Sequence, residues 1–289
     1  MKVLILGATG MLGDAVTKVF SEFSGQVICT SRAHRTGLDH TIENRVFDAD
    51  TDEIERVAGD LMAGDYIVNC IGIIKTEIDE SSPASCDRAR RINAEFPAKL
   101  AAFATLRGVK VIQIATDCVF SGKDGHYSET SVHDPADVYG KTKSLGEIVS
   151  SSMMHLRVSI IGPEKRGFSS LYDWVARQPQ DSKITGYTNH FWNGIPAKHF
   201  GRLAKTIIEN DLFEAGVHHV LPADEVTKAE LVRLIAEHSG RSDISISDAP
   251  AAHGIDRTLS TNTPEFSAGL WRAAGYSTPP SIAQLVREI

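Results

Sequence analysis

Lys2 to Leu6 reads KVLIL and runs without a break into GATGMLG, with glycines at 7, 10 and 13. An apolar strand ending in glycines at this spacing, followed at once by a helical pattern, restricts the chain to folds with a tight strand-to-helix turn. Glycines there have a chemical use as well as a steric one. Without side chains the backbone can approach a pyrophosphate, and the helix start supplies free N–H groups and a positive dipole. The turn therefore predicts a dinucleotide at Gly7, Gly10 and Gly13.

Further short apolar runs follow at QVICTS, RVFD, YIVNCIG, VKVIQIATD and HLRVSIIG, with helical patterns between most of them, such as Met11 to Phe23 and Ala94 to Leu106. Val- and Ile-rich strands alternating with helices predict a doubly wound parallel sheet in an α/β domain. We place that domain at residues 1–160, completed by part of 187–222. A smaller C-terminal substrate-binding domain is expected over 161–289. There, Thr227 and Glu230 form a capping box opening a helix that ends near Gly240, the tract from Arg241 to Phe266 reads as loop, and a short helix is expected from Ser281.

Composition removes several classes of function. Thirty Lys and Arg stand against 37 Asp and Glu, a net charge of −7 with no basic block, so neither nucleic acid nor an anionic membrane is an expected partner. The apolar stretch before Gly7 is four residues long, and no other run nears the ~20 apolar residues of a membrane span. A cytoplasmic protein is expected. Cysteines 29, 70, 86 and 118 lack C-x-x-C spacing, and the 11 histidines show no ligand spacing, so no metal is expected.

The second strand run ends at Thr30, Ser31 and Arg32, where an NAD-selective fold usually carries an acid for the ribose 2′-hydroxyl. An arginine instead suits a 2′-phosphate, which favours NADP(H) and leaves NAD(H) open. Asp48, closing the third run, either accepts from the adenine amino group or caps the next helix. Tyr139 and Lys143 lie one helical turn apart in DPADVYGKTK, so the ammonium is expected beside the phenol, favouring its ionised form. A free phenol, with a pKa near ~10, is otherwise a poor acid or base at neutral pH. Thr116 ends the fifth strand run, projecting its hydroxyl toward the same crevice.

GATGMLG, YIVNCIG, RINAEFPAKLA, ATDCVFSG, VYGKTKSLGE, HLRVSIIG, GVHHVLP and DRTLSTN together resemble, over nearly the whole chain, the extended short-chain dehydrogenases/reductases, and among them the dTDP-4-dehydrorhamnose reductase group. The resemblance implies a Rossmann domain and reduction of a nucleotide-linked 4-keto-6-deoxy sugar. It assigns Thr116 to the substrate carbonyl, Tyr139 as acid, and Lys143 to tuning Tyr139 while holding the nicotinamide ribose, with Asn93 supporting the lysine. Thr9, Met11, Leu12, Cys70 and Gly72 join the cofactor contacts it implies. Ile73, Lys75, Cys118, Val119, Phe120 and Asn193 join Thr116 on the substrate side. Dehydratases of this superfamily follow the threonine with Asp and Glu; here Asp117 and Cys118 follow, so elimination is not expected.

Two departures bear on the sugar. VNCIGIIK, and Ile160 and Ile161 after Ser159, replace residues near the family's sugar pocket, which favours a UDP-linked acetamido sugar over the rhamnose precursor. Alternatives are an epimerase of the same superfamily, or a non-catalytic NADP-binding regulatory subunit, since a relative serves methionine adenosyltransferase in that way. A homodimer is compatible with the chain, though no residue pattern specifies it.

Overall fold

The computed structural model describes residues 1–34, 42–165 and 167–289. Seven strands form one parallel sheet: β1 (Lys2–Leu6), β2 (Gln26–Ser31), β3 (Glu43–Val46), β4 (Tyr66–Asn69), β5 (Lys110–Ala115), β6 (Met153–Arg157) and β7 (Gly216–His219). Their order is β7-β6-β5-β4-β1-β2-β3. The chain leaves β1 in one direction and returns to its other side at β4, so the winding reverses beside the carboxyl end of β1, where ligands enter open α/β sheets.

The unbroken apolar runs follow from burial on both faces. Val3 and Ile5 face one core with Leu12, Val16, Phe20, Phe200 and Leu203, whereas Leu4 and Leu6 face another with Ile28, Ile67, Leu100 and Phe103. Successive strand residues point to opposite faces, so a strand covered on both sides has no polar face to show. The helix Ala197–Glu209 packs on Met11–Phe20 and contributes Phe200, Leu203 and Ile207 to the first core.

Between β4 and β5 the chain is helical over Pro83–Arg90 and Phe96–Arg107, joined by a π-helical turn at Arg91–Glu95. The sequence pattern shows only part of this, from Ala94. A π turn is rare and is often found at functional sites. This one carries Asn93 into the interior, where it is 1% exposed.

A second layer follows Ile161. Val175, Ile184, Leu231, Ile235 and Ile282 make its core. The capping box at Thr227 and Glu230 opens the helix Lys228–His238, and Ser281 caps Ile282–Arg287. The tract from Arg241 is not all loop, because Ser245–Ala249 pairs in parallel with Lys183–Tyr187 and a helix begins at Pro264. SISDA has weak strand propensity and no fully buried face, so only its long-range partner reveals it. Val226–Thr227 and Ile255–Asp256 flank His190–Trp192 in a separate small sheet.

Candidate functional site

The glycine turn has the geometry its spacing predicts. Gly7 adopts φ +82°, a left-handed conformation open to glycine, and its N–H donates to Thr30 Oγ1 at 3.1 Å. A Cβ on Gly13 would stand 2.1 Å from Gly7 O, so the helix can meet the strand this closely only with glycine there. Gly10 is the N-cap of Met11–Phe20 and provides no side-chain cap, while Thr9 and Gly10 are exposed. The helix start thus presents uncapped N–H groups beside an open backbone, which fits a dinucleotide pyrophosphate. Met11 is half-buried, and Leu12 belongs to the core.

At the end of β2, Ser31 is buried, its hydroxyl donating to Ala33 O at 2.6 Å and accepting from Asn44 Nδ2 at 2.9 Å. It therefore shapes the turn that presents the exposed Arg32. Asp48 is engaged locally: Oδ1 accepts from Asp50 N at 3.0 Å, and its own N–H donates to Asp52 Oδ2 at 2.9 Å. The expected capping of the next helix is not what the structure shows: Glu55–Ala58 has Ile54 at its N-cap, and Asp48 closes only the local turn at Asp50.

Thr116 follows β5, and Tyr139 and Lys143 lie on the helix Val138–Leu145, whose start is capped by Asp137. Gly140 lets that helix press onto the Thr116 loop, since a Cβ there would stand 2.2 Å from Cys118 O. Burial pushes the Tyr139 phenol well above its usual range, the Cys118 and Asp117 charges add to the rise, and the nearby Thr116 side chain opposes it. Thr116 Oγ1 also donates to Asp117 Oδ1 and accepts from Cys118 N, both at 3.2 Å. Burial lowers the Lys143 ammonium to about 8, against the pull of Glu147.

The expected pairing of ammonium and phenol is not what the structure displays. Lys143 Nζ donates to Ile114 O at 3.0 Å, and among the described residues no hydrogen bond joins it to Tyr139. Helical spacing fixes where the two stems start, but a four-carbon stem carries the ammonium to the nearest acceptor. In this arrangement Tyr139 is a protonated phenol, favoured as a donor and not as a base.

Asn93 braces the neighbouring loop. Its amide accepts from Ile73 N at 2.9 Å and donates to Ile73 O at 3.0 Å and Thr142 Oγ1 at 3.1 Å. It thereby joins the loop after β4 to the helix of Lys143. Gly72 is exposed in that loop, and Cys70 is a thiol raised by burial.

The substrate-side expectations divide. Cys118 borders Thr116, its thiol pushed up to about 12 by burial and the Asp117 charge. Val119 and Phe120 are fully buried, with Phe120 stacked on Tyr127 at 4.3 Å, so their side chains belong to a core cluster and not to a pocket wall. Asn193 donates to Leu259 O at 2.7 Å and accepts from Leu259 N at 3.0 Å, clamping the 258–260 segment with both ends of its amide. Lys75 pairs with Asp137 at 2.9 Å, bracing the cap of the Tyr139 helix. Ile73 and Ile161 are buried, Ile160 packs against the main core, and Ile74 is exposed.

The sequence reading missed two cations. Lys228 and Arg257 lie near enough to Asp117 for their charges to oppose its burial-driven rise; Arg257 stands in the DRTLSTN stretch and Lys228 opens a helix, but no charge pattern marks either. Among the described residues no cluster of His, Cys, Asp or Glu could hold a metal ion, and no helix is long and apolar enough to cross a membrane.

Comparison with known proteins gives two directions. Residues 1–266 match the family described as the RmlD substrate binding domain. Methionine adenosyltransferase 2 subunit beta of Bos taurus is 26% identical over 247 residues, covering 82% of this chain and 71% of that protein. dTDP-4-dehydrorhamnose reductase of Streptomyces griseus is 33% identical over 145 residues, 50% of this chain and 43% of that protein. In fold, the chain is similar to the Bacillus anthracis dTDP-4-dehydrorhamnose reductase solved in complex with NADP, with a TM-score of 0.71, 18% identity, and coverage of 99% and 97% of the two chains.

Proposed function

The chain belongs to the RmlD substrate binding domain family, and from that premise we propose that it is an NADPH-dependent reductase acting on the 4-keto group of a nucleotide-linked 4-keto-6-deoxy sugar. One observation carries this reading: a protonated, half-buried Tyr139 beside Thr116, with a buried Lys143 one turn away, all at the carboxyl end of the sheet that also bears the glycine turn. The cofactor, when bound, supplies hydride to the carbonyl carbon.

The chain's own residues do the rest. The Gly7, Gly10 and Gly13 turn holds the pyrophosphate, and Arg32 meets a 2′-phosphate. Thr116 and Tyr139 bind the carbonyl oxygen, and Tyr139 passes its proton there as negative charge develops. Lys143 adds a positive charge close by. Asn93 and Thr142 keep its helix in register with the loop after β4.

The test is stoichiometric NADPH oxidation with dTDP-, UDP- and GDP-linked 4-keto-6-deoxy sugars. A UDP-linked acetamido sugar is our preferred substrate, since the exposed Ile74 offers apolar contact for an acetyl methyl. Tyr139→Phe should lower turnover by ~10²–10⁴ with NADPH affinity little changed. Near-normal turnover in that variant sinks the assignment of the acid. Bound cofactor without net oxidation would point to an epimerase.

A second reading, an NADP-binding regulatory subunit, is favoured by the similarity to methionine adenosyltransferase 2 subunit beta over 82% of the chain. It predicts cofactor binding, no turnover with any keto sugar, and a complex with a methionine adenosyltransferase catalytic subunit on gel filtration.

A further inference from the structure

β4 and β5 stay in register only as far as Asn69 beside Gln113, so the carbonyl of Ile114 lies one residue past the last pair between these strands. Two side chains serve it: Lys143 Nζ donates at 3.0 Å and Gln113 Nε2 at 3.2 Å. Asn69, Gln113 and Lys143 are all buried. Gln113 Oε1 in turn accepts from Asn69 Nδ2 at 2.7 Å, and Asn69 Oδ1 accepts from Ile71 N at 3.0 Å. Ile71 presses on the glycine turn, where a Cβ on Gly7 would stand 2.8 Å from Ile71 Cγ1. A buried chain of hydrogen bonds thus runs from the flank of the glycine turn to the carbonyl that holds Lys143.

The direction of this chain is fixed at its ends. A backbone N–H can only donate, so Ile71 N sets Asn69 with its oxygen toward the loop and its amide nitrogen toward Gln113. Gln113 must then show its oxygen to Asn69, which leaves its Nε2 for Ile114 O. With that donor in place the carbonyl does not depend on Lys143 alone. The ammonium carries three donors on a flexible stem, and Tyr139 lies one helical turn away. A buried carbonyl left with no donor bears the full cost of its desolvation, so without Gln113 every departure of the ammonium from Ile114 O would be opposed.

We propose that Gln113 is a positioning residue for Lys143: by keeping Ile114 O satisfied, it frees the ammonium to turn toward Tyr139 and the nicotinamide ribose. This rests on the reductase reading above and adds the residue that decides how readily its lysine is released. Asn69 is the second member of the device, since it holds the Gln113 amide in the orientation that offers Nε2 to the carbonyl. Both side chains act through Lys143 and neither takes part in the proton transfer itself.

The test is a double-mutant cycle on NADPH affinity, read by fluorescence titration of the full chain and so independent of turnover. Gln113→Leu removes the second donor to Ile114 O. In the parent background it should weaken NADPH binding by on the order of ten- to a hundredfold, because the carbonyl is left unpaired whenever the ammonium turns to the cofactor. In the Lys143→Met background the same change should leave affinity within about twofold, since there is no ammonium to release. A disturbed Ile71 loop or lost packing would instead weaken binding equally in both backgrounds, and that outcome overturns the proposal. Gln113→Glu keeps the shape and the acceptance from Asn69, but its carboxylate has no donor for Ile114 O. It should reproduce the Lys143-dependent loss, and it decides the matter if Gln113→Leu does not fold. A Gln113→Leu protein that binds NADPH as tightly as the parent also overturns the proposal, as does a parent that binds no NADPH. Lys143-dependent loss in a protein that reduces no keto sugar would leave the positioning role standing and refute only the reductase reading.

Discussion

Lys143→Met should make the protein more stable and less active at neutral pH. In the folded chain burial brings the Lys143 ammonium from 10.5 to about 8. At ~1.4 kcal/mol per pH unit, that gap means the folded state carries a penalty of about 3 kcal/mol for holding the charged form. Methionine has a similar length and no charge, but it forfeits the hydrogen bond to Ile114 O, a loss of ~1 kcal/mol because Gln113 Nε2 still donates to that carbonyl. The expected net gain is about 2 kcal/mol below pH 8. The unfolded chain keeps its proton up to 10.5 while the folded chain releases it near 8, so between these values the unfolded state binds more protons and the unaltered protein gains stability as pH rises. The variant's advantage must therefore shrink across that window. Urea unfolding at pH 7 and pH 10 measures both effects, and NADPH oxidation measures the expected loss of turnover. A variant less stable than the parent at pH 7, or an advantage that grows with pH, would refute the account of Lys143 as a charge held in place against a burial cost.

Three further outcomes follow from the geometry. NADPH should be preferred over NADH by on the order of ten- to a hundredfold in kcat/KM, since a hydrogen bond to a charged group contributes ~1.5–3 kcal/mol, and Arg32→Ala should abolish the difference; equal use of NADH by the parent removes the argument. Gly13→Ala places a Cβ 2.1 Å from Gly7 O, so the helix must shift, at a cost of ~1–3 kcal/mol in thermal unfolding together with weaker NADPH binding by fluorescence titration. Arg157, 1% exposed, is bonded to Glu147, His133 and His219. Arg157→Met leaves Glu147 without its partner and should cost ~3–5 kcal/mol, whereas Arg157→Met combined with Glu147→Leu should recover much of that loss in urea unfolding. No recovery in the double variant would mean that the histidine contacts carry the site.

What could be read in the chain, and what could not, divides by the range of the contact that decides each residue's place. The glycine turn is legible because its constraint closes within seven residues: only a missing side chain lets Gly13 lie against Gly7 O, whatever the rest of the protein does. The strands of the large sheet are legible for a related reason, since burial on both faces makes each an unbroken apolar run whichever neighbours it acquires. Thr116, Tyr139 and Lys143 come next. Their backbone positions follow from one strand end and one helical turn, yet the ammonium's contact with Ile114 O depends on a flexible stem that spacing does not govern. Phe120 and Asn193 read as pocket residues because they stand near the right motifs, but their partners are Tyr127, folded back onto the same loop, and Leu259, far along the chain. Lys228 and Arg257 mark the limit. Each follows a two-residue strand too short to have a period, and what makes them a pair is that both strands chose Phe191 as a neighbour. The glycine turn depends on local geometry, whereas the places of Lys228 and Arg257 depend on register between distant segments, so substitutions around Trp192 can shift these two cations while the dinucleotide cradle stays as it is.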